Sequence, residues 1–308
     1  MRGIAGKRVL VTAGGASVSG QAIRRGWPYR DVERLNQRED GAMADQARIA
    51  RIARHILEGH ERRRRFERLR GDLAPASLDE AYEVQDEVHR LFREAGWGEL
   101  AGHKIALTSK AVQELCGVDQ PAGGAIFART VRQSPATVRL ADFMHLGLEF
   151  ELGVRLGADL PASGAPYTRA SVAGAVATCM PAFELIEDRG ADYGDLDAAS
   201  ILTDKCWCGG VVLGPEVADW RRLDLASAPV ELIWNGELVD QGVTGAAMGH
   251  PFEGLAWLAN LLAARGRAMK AGEIVITGSA LKTRFPEAGD EVTYRIEGLG
   301  ETSVRVTA

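Results

Sequence analysis

The clearest pattern in the chain is a strict alternation between Leu146 and Val154. Leu146, Leu148, Phe150, Leu152 and Val154 fall on one side and Gly147, Glu149, Glu151 and Gly153 on the other, the period of a β-strand that buries its first face. Short apolar runs of similar character recur over residues 210–213, 230–234, 274–277 and 292–296. The run from Cys179 to Ile186 is apolar apart from Glu184 and reads as a buried strand. Asn235-Gly236 separates Glu231-Leu-Ile-Trp234 from Glu237-Leu-Val239 and predicts a two-residue hairpin, because that turn needs positive φ at both centres.

Before residue 100 the period is that of helices. Ile49, Ile52, Ala53, Ile56 and Leu57 form one stripe of a helix predicted from Ala44 to about Arg70, which puts Arg62 to Arg65 on a solvated helix face. Ser77-Leu-Asp-Glu80 is a capping-box pattern that opens a second helix, with Leu78, Ala81, Tyr82, Val88, Leu91 and Phe92 as its buried stripe and Gly96 as its stop. A later helix over 252–265 ends at Gly266. The organisation expected is α+β: an extension over 1–42, expected to be poorly ordered, a helical lead region over 43–100, and a β-rich catalytic domain over 101–308.

Composition narrows the chemistry. A formal charge of -5 and a sequence pI near 5.8 give no positive field for nucleic acid or an anionic membrane, so neither is an expected partner. Cys116, Cys179, Cys206 and Cys208 are too few for a disulfide framework, which fits a reducing cytoplasm. No apolar run reaches membrane-spanning length. A small-molecule substrate is the better expectation. Residues 7–23 read as a strand, a glycine turn and a helix start, and resemble the cofactor turn of short-chain dehydrogenases. The strand-helix repeats of a dinucleotide fold do not follow, and no nicotinamide is expected.

Glu149 and Glu151, at i and i+2, lie roughly 7 Å apart along their strand with glycines on either side. The gap suits a cation; a solvent-exposed sheet face is the alternative. Glu184 is harder to place at a surface. An ionised carboxylate inside an apolar strand has to be neutralised by a proton, a basic side chain or a metal. Three converging carboxylates without histidine or thiolate would make a hard, all-oxygen site, suited to magnesium or manganese rather than zinc.

Other candidates are weaker. Lys104 precedes Ile105-Ala-Leu107, and reads either as a functional ammonium with a lowered pKa or as a snorkelling surface lysine. His103 should point the opposite way along the same strand, and Lys110 belongs on the surface. Cys206 and Cys208 lack a second cysteine or histidine pair and read as pocket or core residues. His250, before Pro251, fits a helix cap, and Asp119 fits the fixing of a turn over 117–121. Lys282 and Arg284 could clamp a second carboxylate of a substrate, or lie exposed on a loop.

Six spaced segments carry a resemblance: Gly102-His-Lys-Ile-Ala-Leu-Thr-Ser-Lys110, Gly117-Val-Asp-Gln-Pro121, Glu149-Phe-Glu151, Pro181-Ala-Phe-Glu184, Gly249-His-Pro251 and Ile276-Thr-Gly278. From about Met43 onward the chain resembles the 2-keto-4-pentenoate hydratase branch of the fumarylacetoacetate hydrolase superfamily. The resemblance implies a mixed β-sheet roll and a Mg2+ or Mn2+ site on Glu149, Glu151 and Glu184. It also implies an active-site lysine at Lys104, a substrate-carboxylate contact at Thr277, and a homo-oligomer. The activity implied is addition of water to 2-hydroxyalka-2,4-dienoates or their 2-oxo tautomers, intermediates of aromatic-ring meta-cleavage. Decarboxylation of 2-oxo-3-enedioates, carbon–carbon hydrolysis of acylpyruvates and a catalytically silent metal and 2-oxo-acid binder are the alternatives. Two departures bear on this. The family aspartate after Gln-Pro is Ala122 here, and the segment Asp204-Lys-Cys-Trp-Cys-Gly209 is expected to add a lysine, an aromatic ring and two thiols to a pocket wall.

Overall fold

The first helical stripe becomes α1, Tyr29–Glu61, in the computed structural model, which describes residues 29–308, with side chains from residue 45. The strand and glycine turn expected over 7–23 lie outside the described residues. The helix stops at Glu61 instead of running on to Arg70, and the arginine run is not a helix face. Arg63 takes a φ of +48°, and the chain turns into an extended strap. Arg63 donates to the carbonyls of Ala141 and Phe143 and Arg65 to that of Gly190, while Phe66 drops into the core against Trp207 at 5.0 Å. The run therefore fastens the strap to backbone carbonyls.

The second helix, α2 (Leu78–Phe92), begins where the capping pattern places it, with Ser77 Oγ accepting from Glu80 N at 3.1 Å. Four more helices follow: α3 (Lys110–Cys116), α4 (Arg169–Ala173), α5 (Ala198–Thr203) and α6 (Pro251–Ala264). The first three of these are too short to print a helical period on the sequence. His250 caps α6, its Nδ1 accepting from Phe252 N at 2.9 Å.

The strands are β1 (Leu100–Ala106), β2 (Ala122–Phe127), β3 (Val131–Gln133), β4 (Ala136–Arg139), β5 (Leu146–Leu156), β6 (Val176–Glu187), β7 (Cys208–Leu213), β8 (Pro229–Trp234), β9 (Glu237–Val243), β10 (Ile274–Ser279), β11 (Glu291–Ile296) and β12 (Gly300–Thr307). They form a seven-stranded sheet, ordered β2-β1-β10-β5-β6-β7-β3, and a five-stranded sheet, ordered β4-β12-β11-β8-β9. Both are mixed: β1 and β10, β3 and β7, and β4 and β12 pair in parallel. The hairpin between β8 and β9 turns on Asn235 and Gly236, both with positive φ.

Phe150 and Phe183 of the large sheet interlock with Tyr294 of the small one, and the three rings lie 5.8 to 6.3 Å apart. This buries the first face of β5 as its alternation requires. The second face is covered as well: Gly147, Glu151 and Gly153 are buried, which a one-sided strand would not give. The cause is curvature. Lys104 and Glu184 stand three strand spacings apart, about 14 Å in a flat sheet, yet Lys104 Nζ lies 3.1 Å from Glu184 Oε1. The sheet therefore rolls, and the carboxylates line its inside. Among the described residues no helix is long and apolar enough to cross a membrane.

Candidate metal centre

Four neighbouring strands of the roll supply the centre. Pairing of β5 with β6 puts Glu149 opposite Glu184, and pairing of β10 with β5 brings Ser279 beside Glu151. One oxygen from each of Glu149, Glu151 and Glu184 lies within 4.8 Å of the others. Glu151 and Glu184 are fully buried. Each carboxylate is oriented from a different direction. Glu149 Oε1 accepts from Thr283 Oγ1 at 2.7 Å, Glu151 Oε2 from Gly278 N at 2.6 Å, and Glu184 faces the Lys104 ammonium. Gly278 has a φ of +105°, a conformation open to glycine, and this aims its N–H at Glu151.

The set fits a divalent cation. Glu151 Oε1 is buried without a hydrogen-bond partner, and the buried Glu184 oxygens meet only the Lys104 ammonium, 3.1 Å from Oε1, and the nearby Cys208 thiol. Burial, and then the neighbouring carboxylates, push Glu151 well above the usual carboxylate range. Burial outweighs Lys104 at Glu184 and raises it to about 7. Three carboxylates against one ammonium leave two formal negative charges, which a divalent ion neutralises while satisfying the orphaned oxygens. The sequence-based expectation for Lys104 was a lowered pKa. Burial does push it down, and with no cation bound beside it Glu184 and Glu149 outweigh burial and hold it above its ordinary value.

A cavity of about 830 Å³ opens over Glu149 and Lys104. Its walls are mostly apolar, with Leu107, Ile186, Leu196, Ile201 and Trp207 among them, and its rim carries Lys282 and Arg284. Arg284 pairs with Asp240 at 3.2 Å, leaving its Nε without a partner, and Lys282 is exposed. Thr277 is buried beside the centre, where its hydroxyl donates to Leu152 O at 2.9 Å and its backbone leads into Gly278. His103 points away, toward Glu273, and Lys110 is exposed. Ala122 is buried in the cluster that backs the apolar wall.

The expected wall segment is only half right. Cys206 and Trp207 line the cavity, but Lys205 and Cys208 line a separate one on the far side of the turn. Tyr193 and Asp240 were missed. Tyr193 comes from a loop, with its hydroxyl donating to Asp188 at 2.9 Å, and Asp240 from the outer strand β9. Neither sits in a period that would have marked it.

The model of the fumarylacetoacetate (FAA) hydrolase C-terminal domain matches residues 103–307, a span that includes Glu149, Glu151 and Glu184. This chain belongs to the fumarylacetoacetate hydrolase family. Within it, the chain is 32% identical over 267 residues to a 2-hydroxyhexa-2,4-dienoate hydratase of Comamonas testosteroni, covering 86% of this chain and all of that one. It is 29% identical over 261 residues to a 4-oxalocrotonate decarboxylase of Pseudomonas putida, covering 85% and 97%. The structure of a 4-oxalocrotonate decarboxylase from Pseudomonas putida G7, in complex with magnesium and adipate, superimposes with a TM-score of 0.79 at 28% identity over 85% of this chain and 98% of that one. The rolled sheet is thus that of a fumarylacetoacetate hydrolase family member.

Proposed function

We propose that this chain is a divalent-cation-dependent hydratase that adds water to a 2-hydroxyalka-2,4-dienoate or its 2-oxo tautomer. The observation that carries the reading is the convergence of Glu149, Glu151 and Glu184, with orphaned oxygens, beside Lys104 at the base of an open cavity. Magnesium, or manganese, is the ion a hard oxygen set prefers. When bound, the ion supplies a Lewis acid toward a carboxylate and an adjacent oxygen. The chain's own residues do the rest. Lys104 holds a proton where negative charge develops on an enolate, and transfers it or stabilises that charge. The irregular end of β10 at Thr277 and Gly278 would meet the substrate's carboxylate end through its backbone, since the Thr277 hydroxyl is already bonded to Leu152 O. The apolar wall of Leu107, Ile186 and Trp207 takes the conjugated chain and excludes bulk water from it. With Ala122 in place of an acid, an ordered water or another group has to deliver the proton for the distal carbon.

A second reading is decarboxylation of a 2-oxo-3-enedioate. It is favoured by Lys282 and Arg284 at the rim, where a second carboxylate would meet them, and by the decarboxylase relatives. Carbon–carbon hydrolysis draws less support, because among the described residues that line the cavity there is no histidine-glutamate pair. Incubating the protein with 2-hydroxypenta-2,4-dienoate and with a dicarboxylic analogue, with and without Mg2+, separates these by product mass. Metal-dependent gain of water supports the hydratase. Loss of carbon dioxide from the dicarboxylic compound alone replaces it with the second reading, and metal binding without any product leaves a silent binder.

A further inference from the structure

The chain between α5 and β7 takes a costly path. Three consecutive residues other than glycine, Lys205, Cys206 and Trp207, have φ of +55°, +50° and +60°. Side chains with a Cβ avoid that region, so such a run persists only where its surroundings over-determine it. The contacts that do so converge on Asp204. Its backbone carbonyl accepts from Trp207 N at 2.8 Å and closes the turn. Its carboxylate, 1% exposed, accepts from Arg189 Nη2 and pairs with His60 Nε2, and Lys205 Nζ lies 3.4 Å away. Arg189 is tied in turn to the Arg64 carbonyl at 2.8 Å, and the Lys205 ammonium rests 4.5 Å over the Phe92 ring. A buried ionic cluster of this kind seldom gains stability over apolar packing, which directs attention to what it holds in place.

What it holds faces the active-site cavity. The Cys206 carbonyl is 3.1 Å from Lys104 Nζ, and the Trp207 ring joins the cavity wall. Strand β2 passes close beneath the turn: a Cβ on Gly124 would stand 2.7 Å from the Lys205 carbonyl. Lys104 has two partners. Glu184 belongs to the sheet, and the Cys206 carbonyl belongs to the left-handed turn.

The geometry points to Asp204 as a positioning residue for Lys104: anchored by Arg189, His60 and Lys205, it fixes the turn whose Cys206 carbonyl keeps the ammonium beside Glu184. The catalytic consequence rests on the role of Lys104 proposed above, so the test reads Lys104 directly as well as through turnover. Asp204→Asn keeps the backbone carbonyl and the volume but withdraws the charge. Both proteins are briefly treated with acetic anhydride in Mg2+ buffer, and lysine labelling is measured by peptide mass spectrometry, with exposed Lys110 as the internal reference.

In Asp204→Asn the ratio of Lys104 to Lys110 labelling is expected to rise at least fivefold. Turnover should fall in kcat by ten- to a hundredfold, with KM and Mg2+ affinity within twofold of the parent. A folded, metal-binding variant with the parent's labelling ratio and kcat overturns the proposal. So does a variant whose kcat, KM and Mg2+ affinity deteriorate together, which is what a merely structural role gives. If Asp204→Asn does not fold, His60→Ala decides, since it removes one of the carboxylate's partners: a labelling rise of at least twofold supports the proposal, and an unchanged ratio overturns it. Raised labelling in a protein whose parent turns over no dienoate upholds the positioning of Lys104 and refutes the activity alone.

Discussion

Glu149 and Glu184 are direct cross-strand partners on β5 and β6, two carboxylates in register on adjacent antiparallel strands. Like charges so placed repel one another, and here Glu184 is also fully buried. Such a pair, with Glu151 two residues along and buried oxygens left without hydrogen-bond partners, fits a divalent cation. The predictions that follow come from that arrangement.

Lys104→Met keeps the length of the side chain and removes its charge. Turnover is expected to fall by about 10²- to 10⁴-fold, the range for loss of a positioned proton-transfer group. Without metal, Glu184 also loses its counter-charge, so the drop in melting temperature on substitution should be larger in chelator than in Mg2+. Steady-state kinetics and paired thermal melts check both.

The pH dependence of stability has a definite sign. Glu184 rises from 4.5 to about 7 in the folded, metal-free protein. The native state therefore binds more protons than the unfolded chain between those values, and stability falls as pH rises through that window. Glu151, raised further, acts in the same direction. Chelator-treated protein should lose stability from about pH 5 to about pH 8, and Glu184→Gln should flatten that slope. Added Mg2+ should stabilise more at the upper end, where protons no longer compete for the carboxylates. Denaturant titrations at several pH values, with and without metal, give the comparison.

Gly278→Ala tests the irregularity in β10 that orients Glu151. At a φ of +105° the new Cβ would also stand 2.8 Å from Thr108 Cγ2 and 3.0 Å from Ala247 Cβ. A destabilisation of about 1–3 kcal/mol is expected, together with weaker divalent binding, because the N–H that holds Glu151 Oε2 moves. Calorimetric metal titration and chemical denaturation report the two effects separately.

Lys282→Ala should leave the kinetics of a monocarboxylic dienoate unchanged. For a dicarboxylic analogue it should raise KM by about tenfold or more, the value of one charge-assisted hydrogen bond. Equal effects on both substrates would remove Lys282 from recognition of the distal end.

Much of the site was legible before the fold was known, because alternation is local. It put Glu149 and Glu151 on one face, and the apolar setting of Glu184 demanded a neutralising partner; the fold supplies Lys104 beside it. What was not legible depends on curvature and on long-range pairing. Nothing near Asp204 in sequence announces His60, 144 positions away, as its partner. The left-handed run is carried by Lys205, Cys206 and Trp207 and not by glycines, so no turn signal marks it, and Lys205 was placed in the wrong cavity. The arginines after Glu61 continue a helical composition, but their side chains find carbonyls only because the chain leaves the helix there. The same roll that joins Lys104 to Glu184 covers the second face of β5, which its glycines and glutamates alone present as open.

The most direct test of the metal centre is isothermal titration of chelator-treated protein with Mn2+ and with Mg2+, alongside Glu149→Gln, Glu151→Gln and Glu184→Gln. The account predicts one divalent ion per chain for the parent, with affinity reduced by each single substitution and lost when all three are combined. Saturable uptake that survives the triple substitution, or no uptake by the folded parent, would contradict it.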